Sequence, residues 1–259
     1  MLSRVQSLNQ LFISVSLPRD KIYSSSTAME ELARLRSVSL NDKKHFKRCI
    51  ISCNIRSLKA HFKDISSSPH IKNADVICLQ ETWLEYNTDY GNQLNIWGFN
   101  THFNSVSNGK GVATYFRDHY TLVQEIKRDR YQMTLVGSKH LNIINVYRSF
   151  SSDLVSHFIE DLVSLFDDKK KTILAGDLNV CYLGENNHPI IKKLDDLNFR
   201  QRVKMPTHVQ GRLIDHIYFF SPSLDTAPDV EVLQFGQYFT DHDLMVVDIS
   251  ICGIHQQVC

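Results

Sequence analysis

No segment of this chain stays apolar for the roughly 18 residues that a bilayer-crossing helix needs, so no helical membrane span is expected. Charge of one sign is lacking too. Twenty-nine Lys and Arg face 28 Asp and Glu, so contact with a polyanion must come from local patches and not from a global field. None of the six cysteines (Cys49, Cys53, Cys78, Cys181, Cys252, Cys259) forms a CxxC pair. Cys53 and Cys78 lie inside apolar runs, where a free thiol behaves as a small hydrophobe. That pattern fits a reducing compartment better than a disulfide framework. Repeats, low-complexity tracts and a GxxxxGK[ST] loop are likewise missing.

What remains is an ordinary globular composition, 42% hydrophobic and 22% charged over 259 residues, enough for a large core without covalent staples. Residues 1–44 differ from the rest. They hold one short apolar patch, a Ser tract (Ser24–Ser26) and helical spacing at Met29, Leu32 and Leu35. The Ser-rich, acid-poor start with Arg4, Arg19 and Lys21 has some character of a mitochondrial leader, although Pro18 and Asp20 interrupt any long amphipathic helix. From residue 45 onward the spacing predicts strands at 46–55, 75–81, 111–116, 133–136, 141–147, 172–179, 213–220 and 244–251, rich in Ile, Val, Leu and aromatics. Helices are predicted near 57–67, 152–167 and 187–197. Many strands, fewer helices and short connections suggest stacked sheets with helices outside.

Polar residues recur at the ends of those runs. They are Asn54, Gln80 and Glu81, Tyr147, Asp177 and Asn179 in "AGDLN", Asp215 and His216 in "LIDHIYF", and Thr240, Asp241 and His242 before the last strand. Asp and Asn are poor strand residues. One of them at a strand end is turn chemistry; the same coincidence at six strands predicts convergence on one edge of the sheets.

The string "CNIRSL…ICLQETWL…INVYRSF…AGDLNV…RLIDHIYF…FTDHDLMVV" resembles the endonuclease/exonuclease/phosphatase superfamily, which includes abasic-site endonucleases and retrotransposon endonuclease domains. The resemblance covers residues 46–251. It implies a four-layered α/β sandwich, two facing, mostly antiparallel sheets flanked by helices, and metal-dependent hydrolysis of phosphodiester bonds in DNA. Hard oxygen ligands suit Mg²⁺, with Mn²⁺ able to substitute. By resemblance Glu81 is the principal metal ligand, Asn54 helps order the metal site, and Asp241 is an outer or second metal contact. Asp177 would orient or deprotonate the attacking water, Asn179 would donate to the phosphate, and the Tyr147 hydroxyl would face it. His242 would bind the scissile phosphate, oriented by Asp215; His216 should point the other way along its strand. Two positions depart from the pattern: Arg56 stands where an acid often does, which implies a single-carboxylate inner shell, and Thr240 replaces a Ser.

The segments at 45–48, 127–131 and 200–208 mix cations with aromatics, as loops that grip a nucleic-acid backbone do. Arg148, Arg200, Arg202 and Arg212 are the candidate substrate-binding cations. "LSRVQSLNQLFIS" resembles the closing motif of superfamily 1 DNA helicases, with Arg4 at its phosphate-sensing Arg, as in Helitron-type transposons. The expected organisation is therefore a helicase-tail remnant over 1–44, the endonuclease-like domain over 45–252 and a short tail over 253–259. DNA is the expected partner, no obligate protein partner is inferred, and the expected location is nuclear or cytoplasmic. Alternatives are a phosphatase or phosphodiesterase acting on small or lipid esters, or an inactive nucleic-acid-binding remnant on the same fold.

Overall fold

Apolar runs that are buried on both faces organise the chain. The computed structural model describes residues 46–250 except 91–92, 107–109, 151–153, 185–186 and 224–229. The expectations for residues 1–44, including the helicase-like motif, and for 253–259 lie outside the described residues. One sheet is built from β1 (Cys49–Asn54), β2 (Ala74–Gln80), β3 (Asn100–Ser105), β4 (Gly111–Phe116), β11 (Val232–Phe235) and β12 (Leu244–Asp248), ordered β11-β12-β1-β2-β4-β3. The other holds β5 (Thr121–Arg128), β6 (Tyr131–Gly137), β7 (Leu141–Arg148), β8 (Lys171–Asp177), β9 (Arg200–Gln201) and β10 (Asp215–Phe220), ordered β5-β6-β7-β8-β10-β9. Each sheet has one parallel pair at its centre, β1 with β2 and β7 with β8, among antiparallel neighbours. The mostly antiparallel sandwich expected from the sequence is the observed architecture.

Two apolar layers hold it together. Ile50, Val76, Cys78, Met245 and Val247 of the first sheet pack with Val136, Ile143, Ile173, Ala175 and Ile217 of the second. On the outer face of the second sheet, Met133, Ile144, Leu174 and Tyr218 meet Phe158 and Leu162 of α2 (Val155–Ser164) and Ile190, Ile191 and Leu194 of α3 (Pro189–Asp196). The start of α3 is set by Pro189 in its first turn and by His188, whose Nδ1 accepts the Ile190 amide at 3.3 Å. α1 (Leu58–Ser66) links the parallel strands β1 and β2 and buries Leu58 and Ile65.

A polar bridge crosses the core directly behind the end of β2. Gln80 Nε2 donates to Asn145 Oδ1 at 2.8 Å, and Asn145 Nδ2 donates to Thr114 Oγ1 and the Ala113 carbonyl. All three side chains are buried. Buried polar groups that bond across the two sheets specify one register where apolar contacts alone tolerate several, so the ends of β2 and β7 are fixed against each other.

His216 is a second internal polar device. Its Nε2 donates to the Val180 carbonyl at 2.9 Å, so its Nδ1 accepts from Gln201 Nε2 at 2.7 Å, which defines a neutral ring. Burial pushes its pKa down from 6.5 to about 4, while Val180 and Asp215 pull it up and His188 presses it down further. The folded ring stays neutral where the unfolded ring protonates, so its contribution is present above pH 6.5 and is lost as pH falls from 6.5 toward 4. At about 1.4 kcal/mol per pH unit that loss approaches about 3 kcal/mol. His216→Gln should therefore flatten the fall in unfolding free energy between pH 6.5 and 4, read by urea melts at several pH values. An unchanged acid slope would refute this.

Candidate active site

The end of β2 aims one side chain into the core and the next out of it. Gln80 closes the strand, and Glu81 follows in the left-handed region at φ 50, uncommon for a residue with a side chain. Strain of this kind costs roughly 1–3 kcal/mol and collects at functional sites. Glu81 Oε1 accepts the Tyr147 hydroxyl at 3.1 Å and Oε2 accepts Trp83 Nε1 at 3.2 Å. Tyr147 lies in register with Asp177 on the parallel neighbour β8, and Asn54 at the end of β1 donates from Nδ2 to Asp177 Oδ2 at 2.9 Å. Four strand ends are thereby joined at one edge.

Asp215 opens β10 opposite Asp177. Because β10 runs antiparallel to β8, its first residue reaches the same edge as the last residue of β8. Both carboxylate oxygens of Asp215 accept from His242 Nδ1, at 3.0 and 2.9 Å, the carboxylate–imidazole pairing expected from the sequence. Thr207 Oγ1 donates to Asp215 Oδ2 at 2.7 Å and accepts the Asp215 amide at 3.0 Å, locking the carboxylate. Thr240 Oγ1 donates to the Asn54 carbonyl at 2.8 Å, tying the His242 loop to β1.

The electrostatics follow from burial. Burial and then the Asp215 charge push the Asp177 carboxyl up to about 7, against His242, Asn54 and the Asn179 amide, which pull it down. Burial lowers His242, yet Asp215, Asp177 and Asp241 together hold it up at about 9. Burial raises the Tyr147 hydroxyl strongly, with Glu81 and Asp177 adding to it. Two buried carboxyls thus share a single imidazolium, a surplus of negative charge that a cation relieves. Among the described residues, Asp177, Asp215 and His242 place ligand atoms within 4.8 Å of one another, as do His208, Asp241 and His242. Glu81 belongs to neither group but presents carboxylate oxygens to the same edge. An oxygen-rich donor set with excess negative charge fits a divalent cation.

Other expected residues are placed differently. Asn179 (φ 52) lies two residues past β8; its amide nitrogen donates to the Arg148 carbonyl at 2.8 Å and to Asp177 Oδ2 at 3.3 Å. Asp241 binds Arg56 and His208. Arg148, expected at the substrate, is buried, and its Nη1 donates to the Leu178 carbonyl at 3.1 Å, so it braces the Asn179 loop. Arg200 pairs across from Phe219, four residues along β10 from Asp215 and roughly 13 Å from the site edge, and Arg202 follows it; neither lies at the site. Arg212 is on the loop beside Asp215, where its carbonyl accepts the Thr207 and His208 amides. The 127–131 segment, read as a gripping loop, is a hairpin whose Arg128 and Tyr131 bind Asp161 on α2. In 45–48, Arg48 pairs with Asp75. Sequence reasoning missed Trp83, Thr207 and His208. No local pattern marks Thr207, which serves a carboxylate eight residues away.

Two facing mixed sheets, with a carboxylate–imidazole pair and a buried acid at one edge, define the class of protein as an α/β sandwich. The chain belongs to the Endonuclease/Exonuclease/phosphatase family, whose model matches residues 51–242. Its fold is similar to that of an AP endonuclease from Archaeoglobus fulgidus (TM-score 0.60, 16% identity, covering 77% of this chain and 98% of that one). It is also similar to the endonuclease domain of TRAS1, a telomere-specific non-LTR retrotransposon (TM-score 0.59, 13% identity, 79% and 99% covered). A third likeness is to a 3'-5' exonuclease from Neisseria meningitidis (TM-score 0.56, 19% identity, 77% and 98% covered). No curated protein matches the sequence. Among the described residues, no helix is long and apolar enough to cross a membrane.

Proposed function

We propose that the chain is a Mg²⁺-dependent DNA endonuclease of transposable-element origin, acting in the nucleus or cytoplasm. The observation that carries this reading is Asp177, a buried carboxyl held between Asn54 and Asn179 and set beside the Asp215–His242 pair. Glu81, with the side-chain oxygen of Asn54, would hold the ion. When bound, Mg²⁺ neutralises phosphate charge and polarises the ester. Asp177 accepts the proton of the attacking water; a carboxyl held at about 7 suits a base working near neutrality. His242 is a cation there and offers its Nε2 proton to a phosphate oxygen, while Asp215 keeps the ring in place through Nδ1. Tyr147 and Asn179 supply neutral donors at the same edge.

The rim supports DNA over a small headgroup. Trp83, Met205 and Tyr238 are exposed, and each lies within two residues of Glu81, Thr207 or Thr240. Exposed planar and apolar side chains around a site suit stacking on bases. The likeness to the TRAS1 domain supports a transposon-borne origin, as does the helicase-like start.

The test incubates purified protein and Mg²⁺ with supercoiled plasmid and, in parallel, with inositol phosphates. Nicking that EDTA abolishes is expected; phosphate release without nicking would move the chain to the phosphatase reading. Glu81→Ala should raise the Mg²⁺ concentration for half-maximal nicking at least about tenfold, with the melting temperature nearly unchanged because removing an active-site acid relieves charge repulsion. A melting temperature that falls steeply would make Glu81 structural.

A further inference from the structure

Arg56 stands inside this site, and none of the roles above uses it. It follows β1 in the left-handed region at φ 47, and its amide donates to Asn54 Oδ1 at 3.3 Å. Its Nη1 lies 2.7 Å from Asp241 Oδ2, while its side chain remains 49% exposed. Asp241 is itself pinned. The same Oδ2 accepts from His208 Nε2 at 3.0 Å, and His208 is held in the tautomer that carries this proton because its Nδ1 accepts the Gln210 amide at 3.1 Å. Asp241 Oδ1 is buried without a hydrogen bond, 3.6 Å from His242 Nε2. Charges therefore alternate along Asp215, His242, Asp241 and Arg56. On the other side, the Tyr147 hydroxyl, raised by burial, by Glu81 and by Asp177, is lowered by the Arg56 charge. The guanidinium thus acts on both halves of the site, the His242 half and the Glu81–Tyr147 half.

A half-exposed ion pair contributes little to stability. That is too little to account for a left-handed Arg backbone and a carboxylate fixed from two sides. A pinned guanidinium, however, keeps its remaining N–H groups in a fork that matches phosphate oxygens. Its charge also repels a second cation from the Asp241–His242 side of the site.

We propose that Arg56, held on Asp241, forms a phosphate-binding subsite beside the reacting ester and takes an anionic oxygen of the substrate backbone. The assignment rests on the phosphodiesterase reading for its role in turnover, but the anion site itself can be tested apart from that reading.

The test uses the full chain in EDTA, comparing wild type, R56Q and R56K. Fluorescence anisotropy of a duplex oligonucleotide is followed over a range of NaCl. R56Q should weaken binding about three- to tenfold and reduce the slope of log affinity against log salt by about 1, since one phosphate contact is lost. R56K should keep the slope and lose part of the affinity, because an ammonium carries the charge without the fork. In a second arm inorganic phosphate is titrated calorimetrically into the same proteins; wild type should bind at least about threefold more tightly than R56Q. If plasmid nicking fails but the phosphate difference persists, the endonuclease reading falls and the subsite stands. Equal phosphate affinity in wild type and R56Q, or no phosphate binding by wild type, overturns the subsite. So does a melting temperature lowered by more than about 4 °C in R56Q, which would mark the pair as a structural clamp.

Discussion

Asp177→Asn is expected to reduce plasmid nicking about 10³-fold, the scale of a lost general base, while making the metal-free protein more stable. The two effects share one cause. Asp177 is 1% exposed and within 4.8 Å of another buried carboxylate, so the fold carries a charge it would be more stable without. Burial, followed by Asp215, pushes its carboxyl up to about 7. An amide of the same size removes the repulsion and still offers an oxygen to the Asn179 amide, which now donates to Asp177 Oδ1 at 2.8 Å. A gain of about 1–2 kcal/mol is expected, roughly 2–8 °C in melting temperature for a domain of this size. Scanning calorimetry in EDTA at pH 8, beside a single-turnover nicking assay, reads both. A variant that keeps nicking within tenfold of wild type would remove Asp177 from the base role. One that melts lower would mean that its hydrogen bonds to Asn54 and Asn179 outweigh the repulsion.

The central strands were legible because both of their faces are buried and their residues run continuously apolar, as in "CIISCN" and "TILAG". β3 ("NTHFNS"), β5 ("TLVQEIKR") and β11 ("VLQF") were not, and each lies at the edge of its sheet. β3 and β5 are polar, as edge strands that do not recruit further strands are, and β11 is only four residues long. β5 is exposed along nearly its whole length, which erases the alternation a sequence reading needs. The short β9 was read as part of a basic loop because Arg200 and Arg202 dominate its neighbourhood.

Within the site, residues at strand ends could be read because the strand fixes where a side chain ends up. Asp177, Asn54 and Asp215 depend only on a register set by the apolar pattern. What those residues touch could not be read. Thr207 and His208 reach the site through a loop whose course is set by hydrogen bonds to Arg212 and by the bridge between His208 and His242. Arg148 shows the converse. An Arg after "NVY" suggests a substrate cation, but the chain turns there and encloses the guanidinium beneath Leu178. Charge in a sequence records composition; only the turn decides whether it faces solvent or a carbonyl.

The residue before Asp177 carries the largest expected effect on folding. Gly176 has φ 145, and a Cβ there would overlap the Val146 carbonyl oxygen and lie 2.9 Å from its carbon. The obstruction is backbone on the parallel neighbour β7, while β10 pairs on the other side through His216, so β8 has no free direction in which to move. Gly176→Ala should therefore cost more than about 4 kcal/mol, by strain and overlap together, and yield protein that is largely unfolded at 37 °C by circular dichroism. Tyr147 and Asp177 are the next pair in the same register, so any folded fraction should have its base displaced and should nick poorly per folded molecule. Gly184→Ala is the matched control: a Cβ there meets nothing within 4 Å, and stability should stay within about 0.5 kcal/mol of wild type. If Gly176→Ala instead folds with a normal melting temperature, β7 and β8 are not held as tightly as their register requires, and the positions of Tyr147 and Asp177 lose their common anchor.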